Sequence, residues 1–453
     1  MDIQHKAPSL DTVDENAISK ALRDEESGVL ELTLEHIHPA DFSDQFEQLT
    51  AEERVTVITR APALITPEVL AELEDEVVED ILPLLPSGQI AEAMAKLDND
   101  DATQIFEEMD SAQREEVLGA LQPIDRANLE ASLKFDDETI GRVMQREFVA
   151  APPFWTVGDT IDHMRNTDEE LPDIFFNIYV IDTAFKPIGY VTVSRLMRAK
   201  RDLTLRDLAQ DLVAMIPQGM DQEEAAYLFE KYRLISAPVV DESSRLVGMM
   251  TVDDIVHIIQ DENKEDFLAL AGVSEAGITD TAMDTVKARA PWLGINLLTS
   301  ILASFVIAQF DYAISEIVAL AVLMPIVASM GGNAGTQALT VAVRNLTERD
   351  LTRQSAWRAI RREAAAAAII GVVFALALAL IAYIWFADTG LAFVAFVAMI
   401  INHFFAGVAG IAIPLGLKNI GADPAVSSSV FVTTVTDIVG FFAFLGFASM
   451  ILL

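Results

Sequence analysis

The sequence predicts a multidomain chain in three parts: an all-α superhelix of short helices, a duplicated α/β module, and a polytopic α-helical membrane domain with five spans. Three observations carry this. A leucine-type residue recurs every 12 positions through the first third, a strand-turn-strand-helix pattern occurs twice at an offset of 59 residues, and the last third holds five long apolar runs, four free of charge and the fifth with a single Asp. Charge divides the chain in the same way. Residues 1–270 carry 58 acidic and 22 basic side chains and residues 271–453 carry 11 and 9, so the net charge of −38 lies almost wholly before the apolar region. Such a surface repels nucleic acid and attracts cations, so no nucleic-acid partner is expected. There is no cysteine, which excludes disulfides and thiolate metal sites and leaves hard oxygen ligands for any metal.

Residues 1–30 are polar and acidic without clear periodicity, and read as a mobile arm rather than a signal peptide, which needs an apolar stretch. Residues 31–138 hold the 12-residue grid: Leu49, Ala61, Leu73, Leu85, Leu97, Met109, Leu121 and Leu133. Ser87, Asn99 and Ser111 follow grid points as cap-type residues. Twelve residues accommodate two to three helical turns and a tight turn, so this part is expected to stack short helices over one shared core.

Residues 139–260 contain the duplication. Tyr179-Val180-Ile181-Asp182 followed by Gly189-Tyr190-Val191-Thr192-Val193 matches Pro238-Val239-Val240-Asp241 followed by Gly248-Met249-Met250-Thr251-Val252. The pair resembles tandem CBS modules, which fold together and often bind adenine nucleotides in their clefts. In that family a Thr or Ser followed three residues later by Asp contacts the ribose. Thr251 and Asp254 supply this in the second copy; in the first, Arg195 stands where the acid would follow Thr192. The pair therefore reads either as a nucleotide sensor or as a structural module.

Residues 261–290 are expected to form a connecting helix toward the membrane, with Glu262, Glu265 and Asp266 nearly on one face. Residues 291–453 form the membrane domain. Its apolar runs are 292–310, 317–343, 364–387, 389–417 and 424–453, each long enough to cross a bilayer. Lys287 and Arg289 precede the first run, six arginines lie between the second and third, and Lys418 lies between the fourth and fifth; the intervening loops carry only acids. The positive-inside rule then sets the N-terminus in the cytoplasm and the C-terminus outside.

In the fifth run Asp437 is the only charge, and an ionised Asp at the centre of a span costs about 2.5 to 3.5 kcal/mol on insertion scales, so it must face protein, water or a cation. Ser429, Thr433 and Thr436 share roughly one helical face with it. The alternative is that these hydroxyls bond back to the helix while Asp437 pairs with a neighbouring helix. The second run contains Gly331-Gly332-Asn333-Ala334-Gly335-Thr336-Gln337 after Pro325, which reads either as a loosened helix lining water or as a small-residue packing face. Asn402 and His403 in the fourth run read as helix-packing residues.

The acidic helical stack, the CBS-like pair, the Gly331–Gln337 segment, the Asp423-Pro424 step and the Thr436-Asp437-Ile438-Val439-Gly440 segment occur in the order of the MgtE family of magnesium channels, which this chain resembles over nearly its whole length after residue 30. The resemblance implies a homodimer in the inner (plasma) membrane that takes up Mg²⁺ and is gated by intracellular Mg²⁺. It assigns Asp437 and Asp423 to pore sites, with Asn333, Ser429, Thr433 and Thr436 as pore-lining candidates, and Glu223, Asp254, Glu262, Glu265 and Asp266 to regulatory Mg²⁺. Arg233 and His257 stand where the family pattern has acids. ATP is a candidate ligand of the paired modules. The competing reading is a nucleotide-sensing, CBS-regulated membrane protein that transports other divalent cations such as Co²⁺. An enzyme is not expected, because no second acid accompanies Asp437 at membrane depth.

Overall fold

The computed structural model describes Ile18, Leu22 and residues 37–166, 171–172, 174–273, 282–347, 353–420 and 428–453. They form two compact units, 1–261 and 262–453. From residue 37 on, the described part of the first unit opens with α1 (Pro39–Glu47), α2 (Ala51–Arg60), α3 (Pro67–Glu72), α4 (Asp75–Ile81), α5 (Ser87–Met94), α6 (Asn99–Glu107), α7 (Ser111–Ala120) and α8 (Pro123–Ser132). Helices this short are unstable alone because nucleation is costly, so they depend on the core they share. The 12-residue grid builds that core. Ala61, Leu73, Leu121 and Leu133 are the residues at which α2, α3, α7 and α8 stop. Leu49, Ala61, Leu73, Leu85 and Met109 are buried, and Leu97, Leu121 and Leu133 pack against them.

Two expectations need correction here. The caps lie one residue earlier than Ser87, Asn99 and Ser111, at Pro86, Asp98 and Asp110; Asp110 accepts from the N–H groups of Ala112 and Gln113 at 2.8 Å each. The residue directly after each of these grid points, Pro86, Asp98 or Asp110, has extended backbone and so takes the cap position itself. Nor is all of the 1–30 arm outside the fold: Ile18 is buried in the helical core and Leu22 packs on it, an apolar pair four residues apart that suits one helical face.

Next come α9 (Ile140–Val143), β1 (Ala150–Ala151), α10 (Val157–Asn166), β2 (Asn177–Ile181), β3 (Pro187–Thr192), α11 (Val193–Arg198), α12 (Leu205–Leu208), β4 (Ile216–Pro217), α13 (Gln222–Tyr232), β5 (Ser236–Val240), β6 (Leu246–Thr251) and α14 (Val252–Leu270). The strands make two three-stranded sheets, ordered β1-β2-β3 and β4-β5-β6, each with one parallel and one antiparallel pair. The 59-residue offset holds to the level of single residues. Both hairpins carry a register shift, at Val180/Ile181 and Val239/Val240. Both turns place a non-glycine residue at positive φ, Phe185 (66°) and Ser244 (60°). In both, the strand-ending aspartate takes two backbone N–H groups: Asp182 from Ala184 and Lys186, Asp241 from Ser243 and Arg245. Those bonds offset the cost of left-handed backbone, which is why Asp ends each strand. Asn177 and its repeat mate Ser236 meet directly, Nδ2 donating to Oγ at 2.8 Å, so the two copies touch about a local pseudo-twofold axis.

Helix α14 runs unbroken through residue 261, so the connecting segment continues the last helix of the second module. The second unit then holds α15 (Ala282–Ala308), a short α16 (Asp311–Glu316), α17 (Ala319–Thr347), α18 (Arg353–Phe386), α19 (Thr389–Asn419) and α20 (Ser428–Ile451). Five are long and apolar enough to cross a membrane. Their ends pass beyond the apolar runs: Lys287 and Arg289 lie inside α15, because a helix keeps its backbone paired where the side chains turn polar. Helix α19 is the axle of the bundle, more than half buried and packed on α17, α18 and α20.

Of the two readings of the glycine run, the structure shows the packing face and not the loosened helix. Helix α17 is continuous from Ala319 to Thr347 with Pro325 inside it. Here glycine works through the missing Cβ: at Gly335 it would lie 2.5 Å from Val432 Cγ1 of α20, so only glycine lets the two backbones approach so closely.

Candidate functional site: a membrane seam and an acidic junction

The seam lies where α17 meets α20. A Cβ at Gly332 would sit 3.8 Å from Thr433 Cγ2 and 4.0 Å from Thr436 Oγ1, so the two threonines line the contact. Asp437 follows Thr436 directly and is half-buried; Asn333 follows Gly332 directly and is exposed on the surface of the unit. With about 100° of rotation per residue, both lie at the margin of the seam. Asn333, Thr336, Gln337 and Thr340 form an exposed polar stripe along α17. Inside a span such a stripe must face protein or water, not lipid.

The hydroxyls do bond back to their helices. Thr433 Oγ1 donates to Ser429 O and Val430 O at 3.0 Å, Thr436 Oγ1 to Thr433 O at 2.9 Å, and Thr336 Oγ1 to Gly332 O at 3.0 Å. This fixes the protons inward and leaves hydroxyl lone pairs as acceptors, the half of the group that suits water around a cation. Ser429 is half-buried one turn before Thr433. Asp423 lies outside the described residues.

In the first unit the acids gather elsewhere than expected. Asp254, in the first turn of α14, accepts from Thr251 Oγ1 at 2.7 Å, from Thr251 N at 3.2 Å, and from Gln145 Nε2 at 3.3 and 3.2 Å. The N-terminus of α6 adds Asp98, Asp100 and Asp101 to its surroundings. Burial, then the Asp253 and Asp98 charges, push Asp254 up to about 6 despite the Thr251 bonds. Burial, then Asp98 and Asp254, push Asp101 up to about 7. Asp100 rises well above the usual range for the same reasons, burial first, and its Oδ1 is buried without a hydrogen-bond partner. Beside these acids the two parts are pinned by neutral and basic groups. Ser132 Oγ accepts from Asn99 Nδ2 at 2.8 Å and from Arg146 Nη2 at 3.2 Å, and Arg142 bridges Glu107 and Asp137.

Sequence reasoning missed Asp98, Asp100 and Asp101. The signal was Asp98-Asn99-Asp100-Asp101 itself, more side-chain oxygen than one helix N-terminus needs; Asp98 makes no capping hydrogen bond at all. Glu223 is exposed in the first turn of α13. Glu262, Glu265 and Asp266 lie roughly two to three turns beyond Asp254 along α14. Among the described residues no three acids or histidines converge closely enough to ligate one ion. Arg233 ends α13 in left-handed conformation, where a cation complements the helix C-terminus, and His257 is exposed on α14.

A bundle of membrane helices with one carboxylate at a hydroxyl-lined seam, in a chain that also carries an acidic helical stack and a paired α/β module, is the arrangement of a membrane cation transporter. The family comparisons agree. Residues 324–447 match the MgtE divalent cation transporter model, 37–138 the MgtE intracellular N domain, and 140–202 and 205–261 the CBS domain. The chain is 30% identical over 442 residues to the magnesium transporter MgtE of Thermus thermophilus, covering 96% of this chain and 98% of that one. It is 28% identical to the Bacillus subtilis magnesium transporter MgtE, covering 94% and 95%. Among solved structures, the cytosolic domain of the Mg²⁺ channel MgtE in complex with ATP is similar to it, at 29% identity and a TM-score of 0.50, covering 54% of this chain and 99% of that one. This chain belongs to the MgtE family.

Proposed function

We propose that this chain carries Mg²⁺ into the cell across the plasma membrane, as a homodimer with its N-terminus in the cytoplasm and its C-terminus outside, and that it is not an enzyme. The observation that carries the proposal is the half-buried carboxylate of Asp437 beside Thr433 and Thr436, at the seam with α17. Mg²⁺ gives up its water shell reluctantly, so a seam of one carboxylate and several neutral oxygens suits the hydrated ion better than a cage would. The exposed polar stripe Asn333–Thr340 then faces the ion path or a second copy, with Ser429 continuing the path, and Asp423 is the candidate for a second ion-binding carboxylate. Large apolar side chains exposed on α15, including Leu293, Leu297, Leu298 and Phe305, leave ample surface for lipid or a partner.

Intracellular Mg²⁺ closes the path by binding the acids of the cytosolic part. Asp98, Asp100, Asp101 and Asp254 repel one another where α6 and α14 approach, and a hydrated divalent ion cancels that repulsion without needing three direct ligands. Glu223, Glu262, Glu265 and Asp266 supply further ligands. Bound Mg²⁺ thus has higher affinity for one arrangement, which is what a population shift requires. ATP is the proposed ligand of the second module at Thr251, supported by the ATP complex of the similar cytosolic domain; a calorimetric titration that gives no heat with ATP, with or without Mg²⁺, would remove this part.

The test is flux through the purified full-length chain in proteoliposomes loaded with a Mg²⁺ indicator. Wild type should pass Mg²⁺, and Asp437→Ala should pass almost none while keeping its oligomeric state. Wild-type flux in Asp437→Ala would overturn the assignment.

A further inference from the structure

Asn402 lies near the middle of α19 and is completely buried, 0% exposed. Its Nδ2 donates to Val327 O of α17 at 2.9 Å, while its Oδ1 accepts no hydrogen bond among the described residues. A backbone carbonyl can only accept, so the amide has one sense, amine toward α17. Two glycines from two other helices close around it. A Cβ at Gly331 of α17 would lie 2.1 Å from Nδ2, and a Cβ at Gly440 of α20 would lie 2.7 Å from the same atom. Gly331 adjoins Gly332, which faces Thr433 and Thr436, and Gly440 stands about one turn beyond Asp437. The amide is therefore a wedge between the two seam helices at the level of the candidate ion site.

Packing alone does not explain it. Leucine has similar bulk and would leave no unmet carbonyl, whereas a buried acceptor without a donor is costly in a membrane core. What leucine lacks is the directional bond to Val327, which fixes where the wedge stands. Selecting a hydrated ion by size requires the spacing of the walls to be fixed, since the protein reads the outer surface of the water shell and not the bare ion.

We infer that Asn402 is a specificity-determining positioning residue: its amide sets the separation of α17 and α20 beside Asp437, and with it the hydrated cation that the seam accepts. The inference rests on the reading of Asp437 as an ion-binding group. Without the wedge, two glycines face each other across α19 with nothing between them. The helices then settle closer, and ions with looser shells gain on Mg²⁺.

The experiment compares Mg²⁺, Mn²⁺ and Ca²⁺ fluxes through the full-length chain in proteoliposomes for wild type, Asn402→Ala, Gly331→Ala and the double variant. Asn402→Ala should still conduct, with the Mg²⁺:Ca²⁺ flux ratio reduced roughly fivefold, the equivalent of one net hydrogen bond. Gly331→Ala alone should lose flux, because its methyl meets the amide; the double variant should regain much of the flux and of the Mg²⁺ preference, because the methyl then occupies the space of the amide. An unchanged ratio in Asn402→Ala, or defects that merely add in the double variant, overturns the inference. Should Asn402→Ala not fold, Asn402→Leu keeps the bulk and loses the bond, and wild-type selectivity in it overturns the inference equally. A wild-type chain with no divalent flux would instead overturn the transport reading.

Discussion

The membrane seam and the cytosolic junction hold carboxylates in opposite ways. Asp437 is alone: from Pro424 to Leu453 no other side chain is charged, and its neighbours at the seam are hydroxyls and glycine. Asp254 stands in a crowd: the Asp253 and Asp98 charges raise its proton affinity, and the Asp98 and Asp254 charges raise those of Asp100 and Asp101. A lone carboxylate attracts a cation wherever it sits, which suits a path that must always be ready. Crowded carboxylates resist being together until a cation or proton arrives, which suits a contact that must form conditionally. The junction's fixed pins, Asn99–Ser132–Arg146 and Arg142 with Glu107 and Asp137, hold the helices near enough for the repulsion to be felt.

Neutralising the crowd should break the contrast with the largest effect. In Asp98→Asn/Asp101→Asn/Asp254→Asn the contact no longer needs a cation, so protection of the full-length protein from limited proteolysis should become nearly independent of Mg²⁺. Uptake at low internal Mg²⁺ should fall, while the ratios of Mg²⁺, Mn²⁺ and Ca²⁺ flux stay as in wild type. A Mg²⁺ dependence of protection equal to that of wild type would mean that the sensor lies elsewhere, with Glu262, Glu265 and Asp266 the next candidates.

Acid should act as a weaker substitute for the cation. Asp101 and Asp254 bind protons more tightly in the folded contact than an ordinary aspartate does, reaching about 7 and about 6. The folded form therefore holds more protons than the unfolded one between about pH 4 and 7, and stability falls as pH rises through that window. With chelator present, the cytosolic transition should melt roughly 2 to 5 °C higher at pH 5.5 than at pH 8. Added Mg²⁺ should reverse most of that difference at pH 8, and the triple Asn variant should show neither effect. A melting temperature that rises with pH in the chelated wild type would contradict the assignment of cause.

Much of this was legible in the sequence because it depends on local periodicity. The 12-residue grid marks helix ends, since each stop residue must leave the helix and enter the core in the same step. The 59-residue repeat fixes two equal sheets down to the strand-ending Asp182 and Asp241, because turn chemistry is written within a few residues. Asp437 stands out for the same reason: one charge in 30 residues of apolar chain is a local anomaly. The glycine run was ambiguous because a loosened helix and a close-packed one have the same composition.

The sequence by itself determined the three-part architecture, the five spans, and the face that Asp437 shares with Thr433 and Thr436, all consequences of backbone period and hydrophobic patterning. Only the tertiary structure decided that Gly331 and Gly440 meet Asn402, and that Asp98, Asp100 and Asp101 stand near Asp254 more than 150 residues away. Periodicity says which face of a helix is buried but not what it is buried against. That depends on how separate helices settle over one another, and there a missing methyl or an uncapped aspartate acquires its meaning from a partner distant in the chain.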